Sequence, residues 1–258
     1  MITAFLRHCW RAGTAHGLHS PFVYALYTEV IRPQSDAGTL TAVEQLRQKL
    51  HRSHETIRVM DLGAGSRRSA SPVRGVGQIA RSAQKPVRYA LLLHRLVRRF
   101  RPRTVLELGT SLGLTTAYLA DAARDTDGTV VSFEGCPNLA AKARQHLEQL
   151  GYANARLVVG DLGETLAREV GQMPALDFVF FDANHRFEPT IQYFSTCLPK
   201  AHNDSLFIFD DIHWSAEMEQ AWEAIKAHPA VQVTVDLFGV GLVFFRREQP
   251  KQHFILRF

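Results

Sequence analysis

Thr104-Val-Leu-Glu-Leu-Gly-Thr-Ser-Leu-Gly-Leu-Thr-Thr-Ala-Tyr-Leu-Ala120 changes character twice along its length. It opens as a short apolar run, Val105, Leu106 and Leu108, that holds one acid, Glu107, and it then turns on Gly109 and Gly113. Beyond Gly113 the apolar positions Leu114, Ala117, Tyr118 and Leu119 fall at helical spacing on one face. A strand that passes through a glycine turn into a helix is the opening unit of a nucleotide-binding α/β sheet. Glycine lets backbone approach a ligand closely, and the helix N-terminus presents unpaired N–H groups. The spacing Gly109-x-x-x-Gly113 lacks the middle glycine of the dinucleotide fingerprint, which disfavours a nicotinamide oxidoreductase. An acid two residues before the first glycine would repel a pyrophosphate and suits a ligand with a cationic end.

Downstream the alternation is clean. A helix over 113–123 leads through the turn Asp125-Thr-Asp-Gly128 to a second strand, Thr129-Val-Val-Ser-Phe-Glu134. Glu134 stands 21 residues beyond Gly113, close to the offset at which an acid meets a ribose diol in Rossmann-type sites. A helix over 137–150 closes on Gly151, a C-cap signal. Ala155-Arg-Leu-Val-Val-Gly-Asp161 reads as a third strand, followed by a helix over 164–171. Leu176-Asp-Phe-Val-Phe-Phe-Asp182 is apolar almost throughout, as a strand buried on both faces should be. After a helix over 188–198 comes Ser205-Leu-Phe-Ile-Phe-Asp-Asp211, then a helix over 215–227. Two last strands, 231–236 and 241–246, have no helix between them and so form an antiparallel hairpin. Five strands therefore end in Glu107, Glu134, Asp161, Asp182 and Asp210-Asp211. In an open parallel sheet the carboxyl ends share one edge, where ligands bind. Several carboxylates on that edge are costly unless something cationic or hydrogen-bonding joins them. Capping of the following helices explains one or two of these acids, not the ordered series.

An acid followed by x-Gly-x-x-x-Gly, the ordered strand-end acids and the final hairpin together resemble the class I S-adenosylmethionine-dependent methyltransferases. The resemblance implies an α/β, Rossmann-like sheet of seven mostly parallel strands closed by an antiparallel hairpin. It also implies a set of residues that bind S-adenosylmethionine: Glu107, Gly109, Thr110, Ser111 and Gly113 in the first loop, Glu134 with Gly135 at the ribose, Gly160, Asp161 and Leu162 at the adenine, and Asp182.

Two further stretches, Asp177-Phe-Val-Phe-Phe-Asp-Ala-Asn-His185 and Phe209-Asp-Asp-Ile-His-Trp214, are similar to the branch that holds catechol and caffeoyl-CoA O-methyltransferases and their small bacterial relatives. The resemblance makes Asp182, Asp210 and Asp211 ligands for Mg²⁺ or another divalent cation, and makes Asp182 and His185 the catalytic pair, with His185 the general base. This chain departs from the branch in having Asp-Asp where the pattern has Asp-Asn, and His where it has Lys. Related bacterial methyltransferase-like domains carry Asp-x-x-His without clear metal dependence, so both readings of the metal stay open. His213 is a second base candidate and is read rather as structural. The resemblance covers about 100–246.

Residues 1–55 read as helical. An amphipathic segment runs from Phe5 to Trp10, and Ser20 caps a helix that opens on Pro21 and stops near Pro33. Asp36 or Thr39 caps the next, through Leu40, Val43, Leu46 and Leu50. His16 and His19 flank the Pro-capped start and read as structural before substrate-facing. Thr56-Ile-Arg-Val-Met-Asp-Leu-Gly-Ala-Gly-Ser66 also looks like a strand ending in a glycine turn, but the polar, Pro-broken sequence after Gly65 does not start a helix. Residues 62–77 read instead as a basic loop leading to helices over 77–84 and 86–100. The expected division is an N-terminal helical extension, 1–100, and a methyltransferase domain, 101–258.

The chain of 258 residues carries a net charge of +5, much of it in Arg67, Arg68, Arg74, Arg81, Lys85 and Arg88 and in the arginines from 95 to 103. These describe either a solvated face or a site for an anionic substrate. No apolar run approaches the roughly 20 residues of a membrane span, the N-terminus shows no signal-peptide core, and three scattered cysteines make neither a zinc pattern nor a disulfide framework. The expectations are a cytoplasmic enzyme without membrane contact, with a homodimer left open. It would methylate an oxygen of a small hydroxylated molecule, with the anionic character of that molecule left open. The rival readings are methylation of RNA or another anionic polymer, against which no Asn-Pro-Pro-aromatic motif stands after the fourth strand, and a cofactor-binding regulator without chemistry.

Overall fold

In the computed structural model, which describes residues 2–33, 40–60 and 71–258, strands and helices alternate from Thr104 onward. Ahead of that alternation come helix α1 (Ile2–Arg11), a 3-10 turn at Ala15–Gly17, helix α2 (Pro21–Leu26) with a π-turn at Tyr27–Ile31, helix α3 (Thr41–His51), strands β1 (Thr56–Arg58) and β2 (Val73–Gly75), and helices α4 (Val76–Ser82) and α5 (Val87–Phe100). Then follow β3 (Thr104–Leu108), α6 (Leu114–Arg124), β4 (Thr129–Glu134), α7 (Pro137–Leu150), β5 (Ala155–Val159), α8 (Leu162–Gln172), β6 (Leu176–Phe181) and α9 (Phe187–Cys197). The chain ends with β7 (Ala201–Asp210), α10 (Ala216–Ala227), β8 (Val233–Asp236), β9 (Val240–Phe244) and β10 (Gln252–Ile255).

The fold is α/β and Rossmann-like, with a mostly parallel main sheet. That sheet has eight strands where seven were expected. The extra one is β10, which runs parallel to β8 with Gln252 opposite Val233 and Ile255 opposite Asp236. Gln252-His-Phe-Ile is short and has no alternation of apolar and polar residues, so nothing in its pattern marks it as a strand.

The chain forms two compact units, one made of residues 1–36 and 170–258 and the other of residues 37–169. In the second, β3, β4 and β5 run parallel, with Leu108 opposite Phe133 and Glu134 opposite Val159. Val105, Leu106 and Leu108 are fully buried there, and the apolar face of α6 supplies Ala117, Tyr118 and Leu119 to the same core. Tyr118 donates to Glu44 on α3 at 2.7 Å. Strand β1 belongs to a separate antiparallel ribbon with β2, not to the main sheet. Residues 73–75 are thus strand, which corrects the expected loop over 62–77. Residues 62–70 of that loop, with Arg67 and Arg68, and the proposed caps Asp36 and Thr39 lie outside the described residues.

In the first unit the strand order is β10-β8-β9-β7-β6. β9 is antiparallel to both β7 and β8, so the expected hairpin is present. The core is aromatic: Phe178, Phe180, Phe207, Phe209, Phe244 and Trp222 are all buried to within a few per cent. Ser20 caps α2 by accepting from the Val23 N–H at 3.4 Å, with Pro21 at the first helical position, as the sequence requires. Among the described residues no helix is long and apolar enough to cross a membrane.

Candidate functional site

In the unit of residues 37–169, three loops leave the carboxyl ends of β3, β4 and β5. Backbone bonds tie them together. The N–H groups of Gly109 and Thr110 both donate to Phe133 O at 3.0 Å, and Gly160 N–H donates to Glu134 O at 3.0 Å. The first loop folds tightly because Gly109 (φ 109) and Gly113 (φ 79) adopt backbone that side chains disfavour, and Ser111 joins them at φ 51. Gly113 is also closed in: a Cβ there would lie 3.1 Å from the Ala143 Cβ. The loop's shape is further set by His146 on α7, whose Nδ1 lies 2.9 Å from Leu112 O. A carbonyl can only accept, so Nδ1 carries the proton. Burial pushes the His146 pKa down and favours the neutral ring.

Glu107 is fully buried. Its Oε2 accepts from Thr116 Oγ1 at 2.5 Å and from Ser132 Oγ at 2.6 Å. Ser132 is itself 2.5 Å from Thr110 Oγ1. The acid therefore joins β3, β4 and α6 through hydroxyls, beneath the loop. Glu134 is less buried, and backbone fixes its carboxylate: Oε2 accepts from Ser111 N–H at 2.7 Å and Oε1 from Cys136 N–H at 2.9 Å. Gly135 follows directly. Asp161 acts as the cap of α8, its Oδ1 accepting from Gly163 N–H at 2.7 Å and its backbone oxygen from Thr165 N–H at 2.9 Å. Gly160 takes φ 135 to reach that cap, and Leu162 opens the helix half-exposed.

In the unit of residues 1–36 and 170–258, Phe181 and Phe209 are cross-strand partners on β6 and β7. Their rings stack at 4.3 Å. Asp182 and Asp210, the next residue on each strand, consequently stand side by side at the carboxyl ends. Asn184 then turns the chain at φ 58 and brings His185 back. Asp182, His185 and Asp210 each offer a ligand atom, and these atoms lie within 4.8 Å of one another. His185 Nε2 is 3.5 Å from Asp182 Oδ1. Asp210 is 1% exposed, whereas Asp182 and His185 are half-buried. The expected metal set differs from this group in one member. Asp211 is left out, because the backbone turns left-handed there (φ 52) and its N–H pairs with Gly239 O at 2.8 Å. His185 stands in its place.

His213 is engaged at both ring nitrogens, Nδ1 with Glu219 Oε1 at 3.2 Å and Nε2 with Asp236 Oδ2 at 2.8 Å. Carboxylates accept, so both nitrogens donate and the ring is cationic. Burial alone would lower its pKa, but the bonds and charges of Asp236 and Glu219 prevail and raise it. An imidazolium held this way cannot serve as a base. Beside it lies a cavity of about 660 Å³, lined among others by His8, His213, Trp222 and Asp236.

Of the contributing residues, sequence reasoning passed over Thr116, Ser132, His146, His8 and Asp236. Ser132 had a signal: it is the one polar residue inside Val130-Val-Ser-Phe133. The others sit within helices or at a strand end with no motif around them.

Residues 106–212 match a family described as a methyltransferase domain. Over 95 residues the chain is 35% identical to a protein-L-isoaspartate O-methyltransferase of Picosynechococcus sp., a stretch that is 34% of this chain and 37% of that relative. The chain thus spans little more than a third of that curated relative. Its fold is similar to the O-methyltransferase from Bacillus cereus in complex with SAH, at 18% identity over 86% of this chain and 96% of the other, with a TM-score of 0.58. It is also similar to the O-methyltransferase from Streptomyces achromogenes involved in tomaymycin synthesis, in complex with SAM, at 22% identity over 63% and 82% of the two chains, with a TM-score of 0.53. Likeness at such identities establishes the fold. The matched family, a methyltransferase domain, covers residues 106–212 and agrees with that fold.

Proposed function

We propose that the protein is an O-methyltransferase that uses S-adenosylmethionine to methylate a hydroxyl of a small molecule, with His185 as general base. The observation that carries this reading is the convergence of Asp182, His185 and Asp210, whose ligand-capable atoms lie within 4.8 Å of one another at adjacent strand ends. Structural neighbours solved with SAM or SAH support the cofactor.

When bound, the cofactor supplies an electrophilic methyl on a sulfonium. The residues of each compact unit have separate tasks. The Glu134 carboxylate, fixed by the Ser111 and Cys136 N–H groups at the end of β4, is the acid for the ribose hydroxyls. The backbone of Gly109 to Gly113 admits a close ligand, because no Cβ stands at either glycine. Glu107 holds the loop from below through Thr116 and Ser132. Gly160 and the capped turn at Asp161 offer backbone for the adenine. Asp182 lies beside His185 Nε2 and would keep the proton on that nitrogen, which leaves Nδ1 to take the acceptor's hydroxyl proton as the oxygen attacks the methyl carbon.

Two carboxylates and one imidazole also suit a divalent cation such as Mn²⁺ or Mg²⁺, held by Asp182 and Asp210. A cation there would lower the pKa of a bound hydroxyl. It competes with the base role, since a coordinated His185 nitrogen cannot accept a proton. Calorimetric titration with S-adenosylhomocysteine, run beside turnover assays, separates these assignments. His185→Ala should bind the cofactor as the wild type does and lose about 10²- to 10⁴-fold in turnover. Turnover within a few-fold of wild type would remove His185 from the chemistry. Activity abolished by EDTA and by Asp210→Ala, and restored by Mn²⁺ only in the wild type, would assign the group to a metal instead.

A further inference from the structure

Ala4, Arg7, His8 and Arg11 stand at helical spacing on one face of α1, and Ala216, Glu219, Glu223 and Lys226 do the same on α10. Both faces line the cavity of about 660 Å³ beside His213. Every residue that lines it belongs to the unit of residues 1–36 and 170–258. Its volume is that of a small-molecule site. Asp182, His185 and Asp210 are not among the lining residues, so the cavity is separate from the group assigned to the chemistry.

Charge in its walls is unevenly matched. Asp236 and Glu219 hold the His213 ring between them, at 2.8 and 3.2 Å, and Asp236 also meets His8 at 3.2 Å. Glu223 accepts from Lys226 Nζ at 2.7 Å. Each acid of the walls therefore already has a basic partner within the protein. Arg7 and Arg11 do not: among the described residues neither guanidinium makes a hydrogen bond or an ion pair. Helix α1, Ile-Thr-Ala-Phe-Leu-Arg-His-Cys-Trp-Arg, has no acid to offer them, and the width of the cavity keeps them out of ion-pair reach of Glu219 and Glu223. Two positive charges thus border one space without a counter-charge. A guanidinium presents a planar fork of donors that matches a carboxylate or a phosphate. Residues one turn apart on a helix have Cβ atoms about 6 Å apart, a gap that two linked carboxylates span and one phosphate can bridge. Ala4, Ala216 and Ile255 add apolar surface to the same space.

We propose that this cavity is a second ligand site, which takes a small organic anion, a dicarboxylate or a phosphate ester, with Arg7 and Arg11 pairing with its negative charges. The site uses neither S-adenosylmethionine nor His185, so it stands or falls independently of the proposed chemistry.

The test is calorimetric titration of the full chain with glutarate and, separately, with phenyl phosphate, at an ionic strength held constant with chloride. Saturable one-to-one binding of at least one probe is expected. Glutarate alone would identify a dicarboxylate site, phenyl phosphate alone a phosphate-ester site, and both together a site that reads charge only. Arg7→Gln with Arg11→Gln should weaken binding at least about tenfold, the worth of one or more hydrogen bonds between charged groups. Both side chains are exposed and make no bond within the fold, so the melting temperature without probe should stay at the wild-type value. Arg32→Gln with Arg144→Gln removes the same charge from exposed positions outside the cavity and should leave affinity unchanged. Three results would overturn the proposal: no saturable binding of either probe, wild-type affinity in the Arg7→Gln/Arg11→Gln protein, or equal weakening by the two pairs. The last would mean that net charge, not the cavity, attracts the anion.

Discussion

Gly113 and Gly151 adopt nearly the same left-handed backbone, φ 79 and φ 75, in different surroundings. A Cβ at Gly151 meets nothing within 4 Å, whereas at Gly113 it would press on Ala143 at 3.1 Å. Gly151→Ala should therefore cost only the backbone penalty, about 1–2 kcal/mol, and leave cofactor affinity alone. Gly113→Ala should carry the same penalty, an added crowding term and a displaced first loop. Melting curves and titration with S-adenosylhomocysteine on the two variants separate these effects. If Gly113→Ala binds as tightly as Gly151→Ala, the loop does not cradle the cofactor. The two glycines were legible in the sequence because turn chemistry is local. The hydroxyl pair on Glu107 was not, since Thr116 lies nine residues and Ser132 twenty-five from the acid they serve. Only folding brings β3, β4 and α6 to one point.

At the scale of elements, Asp236 links the end of β8 both to α1, through His8, and to the loop after β7, through His213. Burial opposes the charge on Asp236, but hydrogen bonds from His213 and His8 outweigh it and hold the carboxyl well below the usual range. A depressed carboxylate stabilises the fold above its unfolded pKa, about 4, and loses that contribution as pH falls toward the folded value. His213 has its pKa raised, so its contribution is complete below about 6.5 and fades as pH rises through the higher folded value. The two windows overlap between about pH 4 and pH 6.5. His213→Gln should accordingly lower the melting temperature most near pH 5.5 and progressively less toward about pH 9. Scanning calorimetry across that range checks it, and a loss independent of pH would mean that packing against Phe238, not charge, holds the ring. None of this linkage could be read from the sequence. His8 and Asp236 are 228 positions apart, and β10 carries no alternation to mark it. The elements with strong periodicity, from β3 through α10, fell within a few residues of their expected bounds.

For the whole molecule, the assignments fall to different compact units. The loops proposed for the cofactor leave β3, β4 and β5 in residues 37–169, while Asp182, His185 and Asp210 belong to residues 170–258. Strand-end acids announced both sets in the sequence, because the end of a strand and its terminal acid are close neighbours in the chain. Which acids meet was not announced: Asp210 joins Asp182 through the Phe181–Phe209 register, and Asp211 does not. Amide hydrogen exchange can question each unit without knowledge of the methyl acceptor. At a hundredfold excess over its dissociation constant, S-adenosylhomocysteine should stabilise the bound state by about 2.7 kcal/mol and slow exchange by up to about a hundredfold. The slowing is expected at 109–113, 134–136 and 160–163. Mn²⁺ should slow exchange at 182–185 and at Asp210, and Asp210→Ala should abolish that response while leaving the effect of S-adenosylhomocysteine in place. Loops that exchange equally fast with and without S-adenosylhomocysteine would be removed from cofactor binding. A chain indifferent to Mn²⁺ at 182–185 would leave His185 free of metal, in the role of base.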